Sequence, residues 1–250
     1  MPKVAFITGA AGGIGSATAR KFAAGGYSLF LTDTDEAGLR TLVDDIEVEA
    51  GYAVSDAADE SSALSAMEAM LTRFGKVDVA VLNAGIVGST GRLGAITLED
   101  FRHVMAVNVE GVFTGLSWLM PAMAEHGGGS IVILSSVVGL RGSVGLAPYV
   151  ASKHAVIGLM RTAALEGAKR GIRVNTVNPA PIETLMMRHI ESGRNPTNAE
   201  AVRDANAAAI PMKRYGRAEE VAEMISFLAG DAASYCTGNT YLVDGGYHGR

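Results

Sequence analysis

The chain has 250 residues, of which 48% are hydrophobic and 19% charged, and its formal net charge is −5 at pH 7. This composition predicts a large buried core and is not typical of a disordered chain. The negative balance without a basic cluster argues against binding to nucleic acid or to an anionic membrane surface, and no apolar run approaches the ~18 residues of a membrane span. The single Cys236 permits no internal disulfide and no cysteine metal cluster, so we expect no metal and a reducing, cytoplasmic location.

Strands and helices alternate along the chain with no linker that would separate two domains. Strands are predicted at 4–8, 28–33, 51–55, 77–82, 130–135, 172–177 and 240–243, and helices at 14–25, 36–49, 60–74, 98–124, 149–170 and 218–229. Near-continuous apolar strands joined by helices predict an α/β fold, a doubly wound parallel sheet (Rossmann-like) of about seven strands with helices on both faces. We expect one catalytic domain over 1–250, with its ligand beyond the carboxyl ends of the strands.

A glycine-rich turn, TGAAGGIG at 8–15, follows the first predicted strand and precedes the first helix. This order is typical of a dinucleotide site, because glycines let the backbone approach a pyrophosphate whose charge then rests at the helix N terminus. The spacing is Gly-x-x-x-Gly-x-Gly rather than the more familiar Gly-x-Gly-x-x-Gly. The predicted cofactor contacts of this turn are Gly9, Gly13, Ile14 and Gly15.

Asp33 ends the second predicted strand, 18 residues after Gly15. This is close to the ~20-residue distance expected for an acid that binds the adenosine ribose. A phosphate on that ribose would meet a like charge, and the neighbouring Ala10, Ala11 and Thr34 supply no compensating cation. The sequence therefore predicts NAD rather than NADP as the cofactor.

Tyr149 and Lys153 are four residues apart, so on a helix their side chains share one face. A free tyrosine titrates near pH ~10, and we expect the neighbouring ammonium to lower the pKa of the phenol toward working pH. Tyr149 could then exchange a proton with a substrate oxygen. Ser136 directly follows the fifth predicted strand, 13 residues before Tyr149, where its hydroxyl could hold the same oxygen.

These motifs together make the chain similar to the short-chain dehydrogenase/reductase family. The resemblance extends from Val4 to Gly246 and rests on TGAAGGIG, Asn83-Ala84-Gly85, Asn108, Ser136 and Tyr149-x-x-x-Lys153. It implies that Tyr149 is the general acid/base, that Lys153 also holds the nicotinamide ribose, and that Asn108 anchors a water beside Lys153. It further implies that Asp56 contacts the adenine with backbone help from Ala57, and that Asn83, Ile182 and Thr184 also contact the cofactor.

The segment 181–211 interrupts the strand and helix alternation at the carboxyl edge of the sheet, where long insertions are usually functional. By the resemblance, it forms a substrate lid. The other predicted pocket walls, 86–96 and 137–148, are mostly apolar or glycine, and the predicted walls and lid offer Arg92, Arg141 and Arg188 as their cations.

Such a pocket favours NAD-dependent hydride transfer to or from a small or medium secondary alcohol or ketone. One alternative is reduction of a 3-oxoacyl thioester of acyl-carrier protein or coenzyme A. Another is a regulatory protein that binds a dinucleotide without catalysis. The resemblance also implies a homotetramer, since family members usually pair the helix at 149–170, which here carries several small residues.

Overall fold

The computed structural model describes residues 2–249, which contain one parallel sheet and its flanking helices. The strands are β1 (Val4–Thr8), β2 (Ser28–Asp33), β3 (Ala50–Val54), β4 (Val79–Leu82), β5 (Gly129–Leu134), β6 (Ile172–Pro179) and β7 (Thr240–Val243). The α-helices are α1 (Gly13–Ala24), α2 (Glu36–Asp45), α3 (Glu60–Phe74), α4 (Leu98–Met105), α5 (Gly111–Glu125), α6 (Ala147–Gly167), α7 (Leu185–Arg194), α8 (Ala199–Ala209) and α9 (Ala218–Ala229).

Both faces of the sheet are covered, which explains why its strands are almost continuously apolar. In β1, Val4 and Phe6 belong to a core packed by α3, α5 and α6, whereas Ala5 and Ile7 belong to a core packed by α1, α2 and α9. Successive side chains of a strand point to opposite faces, so both sets must be apolar when both faces are buried. The predicted Rossmann-like fold is confirmed.

The strand order is β3-β2-β1-β4-β5-β6-β7, with every neighbouring pair parallel. The chain first extends the sheet from β1 to β3 and then returns to place β4 beside β1. Ligands of open α/β sheets bind at such a reversal, beyond the carboxyl ends of the strands. The loops after β1 and β4 meet there, and a Cβ on Gly9, whose φ is +64°, would lie 2.9 Å from the Cα of Ala84.

Several predicted bounds are shifted by one to four residues, most of all that of the helix predicted at 36–49, which ends at Asp45, and two regions differ in their elements. The predicted helix 98–124 is divided into α4 and α5 by a π-helical turn, Ala106–Glu110, and the segment 181–211 contains α7 and α8, which the strand and helix pattern did not predict. Both extra helices begin with a side-chain cap: Thr184 accepts a hydrogen bond from the backbone of Met187, and Asn198 accepts one from that of Ala201. Such caps stabilise short helices that have only a weak apolar face.

None of the helices in the described part of the chain combines the length and the apolar character that crossing a membrane requires.

Candidate active site

A cleft of about 580 Å³ runs along the carboxyl ends of β1 to β4. It contains most of the predicted cofactor residues: Gly9, Gly13, Ile14, Asp33, Asp56, Ala57, Asn83 and Thr184. Of the remaining predicted contacts, Ile182 lines a neighbouring cavity, whereas Gly15 is buried in the first turn of α1. The cleft therefore follows the path that the strand ends predict.

The glycines of the turn after β1 are required by close contacts. A Cβ on Gly15 would overlap the carbonyl oxygen of Gly9, so Gly15 allows the first turn of α1 to lie against its own loop. A Cβ on Gly13 would lie 2.8 Å from the Cγ2 of Thr184, at the start of α7. Gly13 thus brings the glycine turn and the 181–211 segment into contact.

Asp33 holds this turn while facing the cleft. Its Oδ2 accepts a hydrogen bond from the backbone of Ala11 at 2.9 Å, and its Oδ1 accepts one from Asp35 at 3.1 Å. Each carboxylate oxygen retains a further lone pair for a ligand hydroxyl. The described residues that line the cleft include Asp33, Asp35 and Asp56 but no lysine or arginine, so this end of the cleft is negative.

Asn83 and Thr8 join β4 to the glycine turn. The Asn83 amide donates to the carbonyl oxygens of Thr8 and Gly9 at 3.0 and 2.8 Å, while the Thr8 hydroxyl accepts from the backbone of Asn83 and Ala84, each at 3.0 Å. The sequence reasoning did not assign a role to Thr8. Its position as the last residue of β1, directly before the glycines, is the signal that could have identified it.

The turn after β3 carries Asp56 and Ala57. The Asp56 carboxylate accepts a hydrogen bond from Ala58 at 2.9 Å, and the Asp56 backbone donates to the Ser62 hydroxyl at 3.2 Å. A Cβ on Gly111 would lie 2.7 Å from the Ala57 carbonyl oxygen. The turn is therefore fixed against the start of α5, at the rim of the cleft.

A second cavity, of about 150 Å³, adjoins the cleft and contains Ser136, Tyr149 and Lys153. The residues that line both spaces are Ile14, Asn83, Gly85, Thr184 and Met186. We call this second space the inner cavity. A ligand in the cleft and a small molecule in the inner cavity would meet at this shared wall.

Tyr149 and Lys153 share the inner face of α6, as predicted, with exposed fractions of 9% and 4%. Burial raises the pKa of Tyr149 to about 12, and the neighbouring Ser136 hydroxyl acts in the opposite direction without offsetting it. Burial lowers the pKa of Lys153 to about 8. The Lys153 Nζ donates to the carbonyl oxygen of Leu134 at 2.7 Å and lies 5.5 Å from the centre of the Tyr149 ring.

The predicted lowering of the Tyr149 pKa is therefore wrong for this arrangement, because desolvation of the phenol outweighs the other influences on it. The ammonium of Lys153 is bonded to a backbone carbonyl over the ring face instead of to the phenol oxygen. A phenol with this pKa is protonated at neutral pH. It therefore carries a proton, but the raised pKa makes it a weaker acid than a free tyrosine.

Asn108 lies in the π-helical turn and is fully buried. Its Oδ1 accepts from the backbone of Ile86 at 2.8 Å, and its Nδ2 donates to the Ile86 carbonyl and to the Ser152 hydroxyl, each at 2.9 Å. Ser152 in turn donates to the Tyr149 carbonyl at 2.8 Å. Asn108 therefore ties the loop after β4 to α6, and its contact with a water stays a prediction. π-Turns are frequent at functional sites.

Ser152 was missed by the sequence reasoning, and no spacing along α6 distinguishes it. Gly85 completes the same cluster: a Cβ there would lie 3.2 Å from the Asn108 Oδ1 and 3.4 Å from the Lys153 Nζ. The absence of a side chain at Gly85 lets both polar groups approach the wall that the cleft and the inner cavity share.

The arginines around the inner cavity are arranged differently from the prediction. Arg188 does not line the inner cavity and pairs with Glu183 and Glu191 at 3.3 and 3.2 Å, so its prediction as a pocket cation is wrong. Arg141 lies over the Tyr247 ring at 4.6 Å. Arg194, which was not singled out as a pocket cation, lines the inner cavity because α7 ends there.

Among the described residues, no group of three or more histidine, cysteine, aspartate or glutamate side chains is arranged to hold a metal ion.

Comparison with known proteins adds three findings. The family model described as enoyl-(acyl carrier protein) reductase matches residues 9–248. Cyclohexanol dehydrogenase of Acinetobacter sp. (strain SE19) is 38% identical over 248 residues, 98% of this chain and 94% of the relative, and 3-oxoacyl-[acyl-carrier-protein] reductase FabG of Thermotoga maritima is 40% identical over 247 residues, with 98% and 97% covered.

The crystal structure of levodione reductase superimposes with a TM-score of 0.97 at 35% sequence identity, covering 99% of this chain and 98% of that one. The likeness in sequence and the likeness in fold thus both extend over nearly the whole chain. The chain belongs to the short-chain dehydrogenase/reductase family.

Proposed function

We propose that the protein transfers a hydride between NAD and a small or medium secondary alcohol or ketone bound in the inner cavity. The observation that carries this proposal is that Ser136, Tyr149 and Lys153 line one space of about 150 Å³ that shares a wall with the dinucleotide cleft. Sites for drug-sized ligands measure ~300–1,000 Å³. The inner cavity suits a smaller molecule, which agrees with the cyclohexanol named for one relative.

The residues of the cleft fit a dinucleotide. Side chains at Gly9 or Gly15 would overlap backbone atoms, and α1 begins beside them at Gly13, so backbone N–H groups are free to approach a pyrophosphate. We assign cofactor binding to Gly9, Gly13, Ile14, Gly15, Asp33, Asp56, Ala57, Asn83, Tyr149, Lys153, Ile182 and Thr184. The bound nicotinamide would supply the hydride chemistry.

In this proposal Ser136, Tyr149, Lys153 and Asn108 handle the substrate oxygen and its proton. For ketone reduction, the Ser136 hydroxyl donates a hydrogen bond to the carbonyl oxygen, and the Tyr149 phenol gives its proton to that oxygen as the negative charge develops. Lys153 places a positive charge under the phenol ring and stabilises the phenolate that remains. Asn108 holds the loop after β4 against α6, so that these groups keep their positions.

The continuous sheet supports one catalytic domain over 1–250, with the segment 181–211 as its lid. The apolar inner side of α7, Met186, Met187 and Ile190, lines the inner cavity. Thr184 at the start of α7 contacts the glycine turn. A lid in this position would exclude water from the proton transfer.

A second candidate is reduction of a 3-oxoacyl thioester, which the 40% identity to the Thermotoga maritima reductase favours. The thioester would have to enter past the lid, and the inner cavity of about 150 Å³ holds only its reacting end. A regulatory protein without catalysis is the remaining candidate. The intact set of Asn108, Ser136, Tyr149 and Lys153 argues against it.

The test is a screen of ketones with NADH, including cyclohexanone and acetoacetyl-CoA, followed by absorbance of the reduced cofactor. We expect cyclohexanone to be reduced and Tyr149→Phe to lower kcat about 10²–10⁴-fold, because a positioned acid is lost. Tyr27→Phe is the matched control, since Tyr27 stacks on Phe22 outside the site. A clear preference for acetoacetyl-CoA would favour the second candidate, and cofactor binding without turnover would favour the third.

Cofactor selectivity should depend on Asp33. We expect wild type to prefer NAD over NADP at least ~100-fold in kcat/KM, because a ribose phosphate would meet Asp33 in a cleft whose lining, within residues 2–249, includes no lysine or arginine. Asp33→Asn keeps an acceptor for the Ala11 backbone and removes the charge, so the margin should shrink, and adding Thr34→Arg should shrink it further. Equal use of NADP by wild type would contradict the assignment of Asp33.

The buried ammonium of Lys153 should lower the free energy of unfolding of the protein by an amount that depends on pH. Its pKa of about 8 lies below the ordinary 10.5, so between these values the unfolded chain binds more protons and wild-type stability rises with pH. The penalty, on the order of 3 kcal/mol, is fully present below pH ~8. The free energy of unfolding of Lys153→Met minus that of wild type should therefore fall by about that amount between pH ~7 and ~10. Urea denaturation of both proteins at each pH would measure it.

The control for this measurement is Lys169→Met, since Lys169 is exposed in the turn after α6. Its stability difference from wild type should change little over the same range. A pH-independent difference for Lys153→Met would show that the ammonium is not desolvated in solution.

We also infer a homotetramer in a reducing, cytoplasmic location, the latter supported by the single Cys236. Large apolar side chains are exposed on α5 and α6, Phe113 at 58% and Leu165 at 81%, and a partner chain that packed on these helices would cover them. Sedimentation velocity should give the mass of four chains. A monomer at micromolar concentration would contradict this.

A further inference from the structure

The inner cavity and a cleft that adjoins it at Arg194 carry positive charge, although the protein as a whole is negative. Beyond the inner cavity lies an outer cleft of about 340 Å³, lined by Thr90, Gly91, Arg92, Val144, Gly145, Gly193 and Arg194. The described residues that line the two spaces include Lys153, Arg194 and Arg92 but no aspartate or glutamate. In a chain of net charge −5, this local excess favours the entry of an anion.

Arg194 lines both spaces and so lies where they join. Two nearby arginines of the lid, Arg188 and Arg203, differ from Arg194 in that both form ion pairs with Glu183. Among the described residues, Arg194 has no carboxylate within ion-pair distance. Its Nη2 donates only to neutral oxygens, the Ser143 hydroxyl at 3.1 Å and the Val144 carbonyl at 3.4 Å.

These two bonds fix the direction of the guanidinium without neutralising it. A guanidinium has five N–H donors, and the hydrogen bonds to Ser143 and Val144 both come from Nη2. The Nε and Nη1 donors are thus available to a ligand. Two such donors match the oxygens of a carboxylate in a bidentate pair.

The surrounding loops hold Arg194 in place. A Cβ on the preceding Gly193 would overlap the Thr90 hydroxyl, so the end of α7 lies directly against the loop after β4. The two loops of the outer cleft are joined by a hydrogen bond from the Gly91 backbone to the Gly145 carbonyl at 3.0 Å. These contacts fix the backbone that leads into Arg194, whose side chain is exposed at the junction.

We propose that the physiological substrate carries a carboxylate at the end remote from its reacting oxygen, and that Arg194 binds this group. The inference rests on the proposed function: the reacting carbon lies beside Tyr149, and the molecule extends through the inner cavity to Arg194. Arg92, farther out in the same cleft, attracts the anion during entry. Arg194 thus determines which ketones are good substrates, while the proton transfer occurs elsewhere.

The test compares two ketones of nearly the same shape, 4-oxocyclohexanecarboxylate and the neutral 4-oxocyclohexanecarboxamide, with NADH. We expect wild type to favour the carboxylate about tenfold or more in kcat/KM, mainly through KM, because charge-assisted hydrogen bonds are worth more than neutral ones. Arg194→Gln should abolish this preference and change kcat/KM for the amide less than about threefold. Added salt should weaken the wild-type preference.

Arg170→Gln is the matched control, since Arg170 is exposed in the turn before β6, at the opposite end of that strand from the site. It should leave the preference unchanged, and Arg194→Lys should retain part of it. Circular dichroism and NADH binding would establish that each variant is folded.

Equal kcat/KM for the two ketones in wild type would overturn the inference. So would an equal loss for both ketones in Arg194→Gln, since Arg194 would then only fasten the lid to Ser143 and Val144. Failure of the proposed function gives a different result, because neither ketone nor cyclohexanone would then be reduced.

Discussion

The close approach of the loops after β1 and β4 is the constraint on which the rest of the site depends. The parallel pairing of these strands places Thr8 opposite Leu82, and the next residues must share one small space. They fit because Gly9 has no side chain and a positive φ. The Thr8 hydroxyl and the Asn83 amide then hold the two loops together.

This contact also determines the position of the proton-transfer groups. Two residues after Asn83, Gly85 lies against Asn108 and Lys153, where a Cβ would be within 3.4 Å of both side chains. If the loop after β4 moved, the wall shared by the cleft and the inner cavity would therefore move with it. The dinucleotide cleft and the acid that acts beside it are parts of one packed unit.

The strand ends were predictable from the sequence, because a sheet buried on both faces requires continuous apolar runs and each run here stops at a polar residue or glycine. Asp33 and Ser136 were located in this way. The link from Asn108 to Ser152 was not predictable, since it joins residues 44 apart, whereas helical spacing relates only neighbours three or four residues apart. The same reasoning could not determine which arginine of α7 faces the inner cavity.

The charged and the apolar side chains of the lid lie in different parts of it. Glu183 pairs with Arg188 of α7 and with Arg203 of α8, so it connects the two helices. The buried Glu191 accepts a second hydrogen bond from Arg188. The side of α7 toward Tyr149 is apolar. These ion pairs stabilise the lid without placing a net charge beside the Tyr149 phenol. A carboxylate beside the phenol would raise the pKa of Tyr149 further. Glu183 and Glu191 are paired with Arg188 and Arg203, and neither of them lies within ion-pair distance of Arg194.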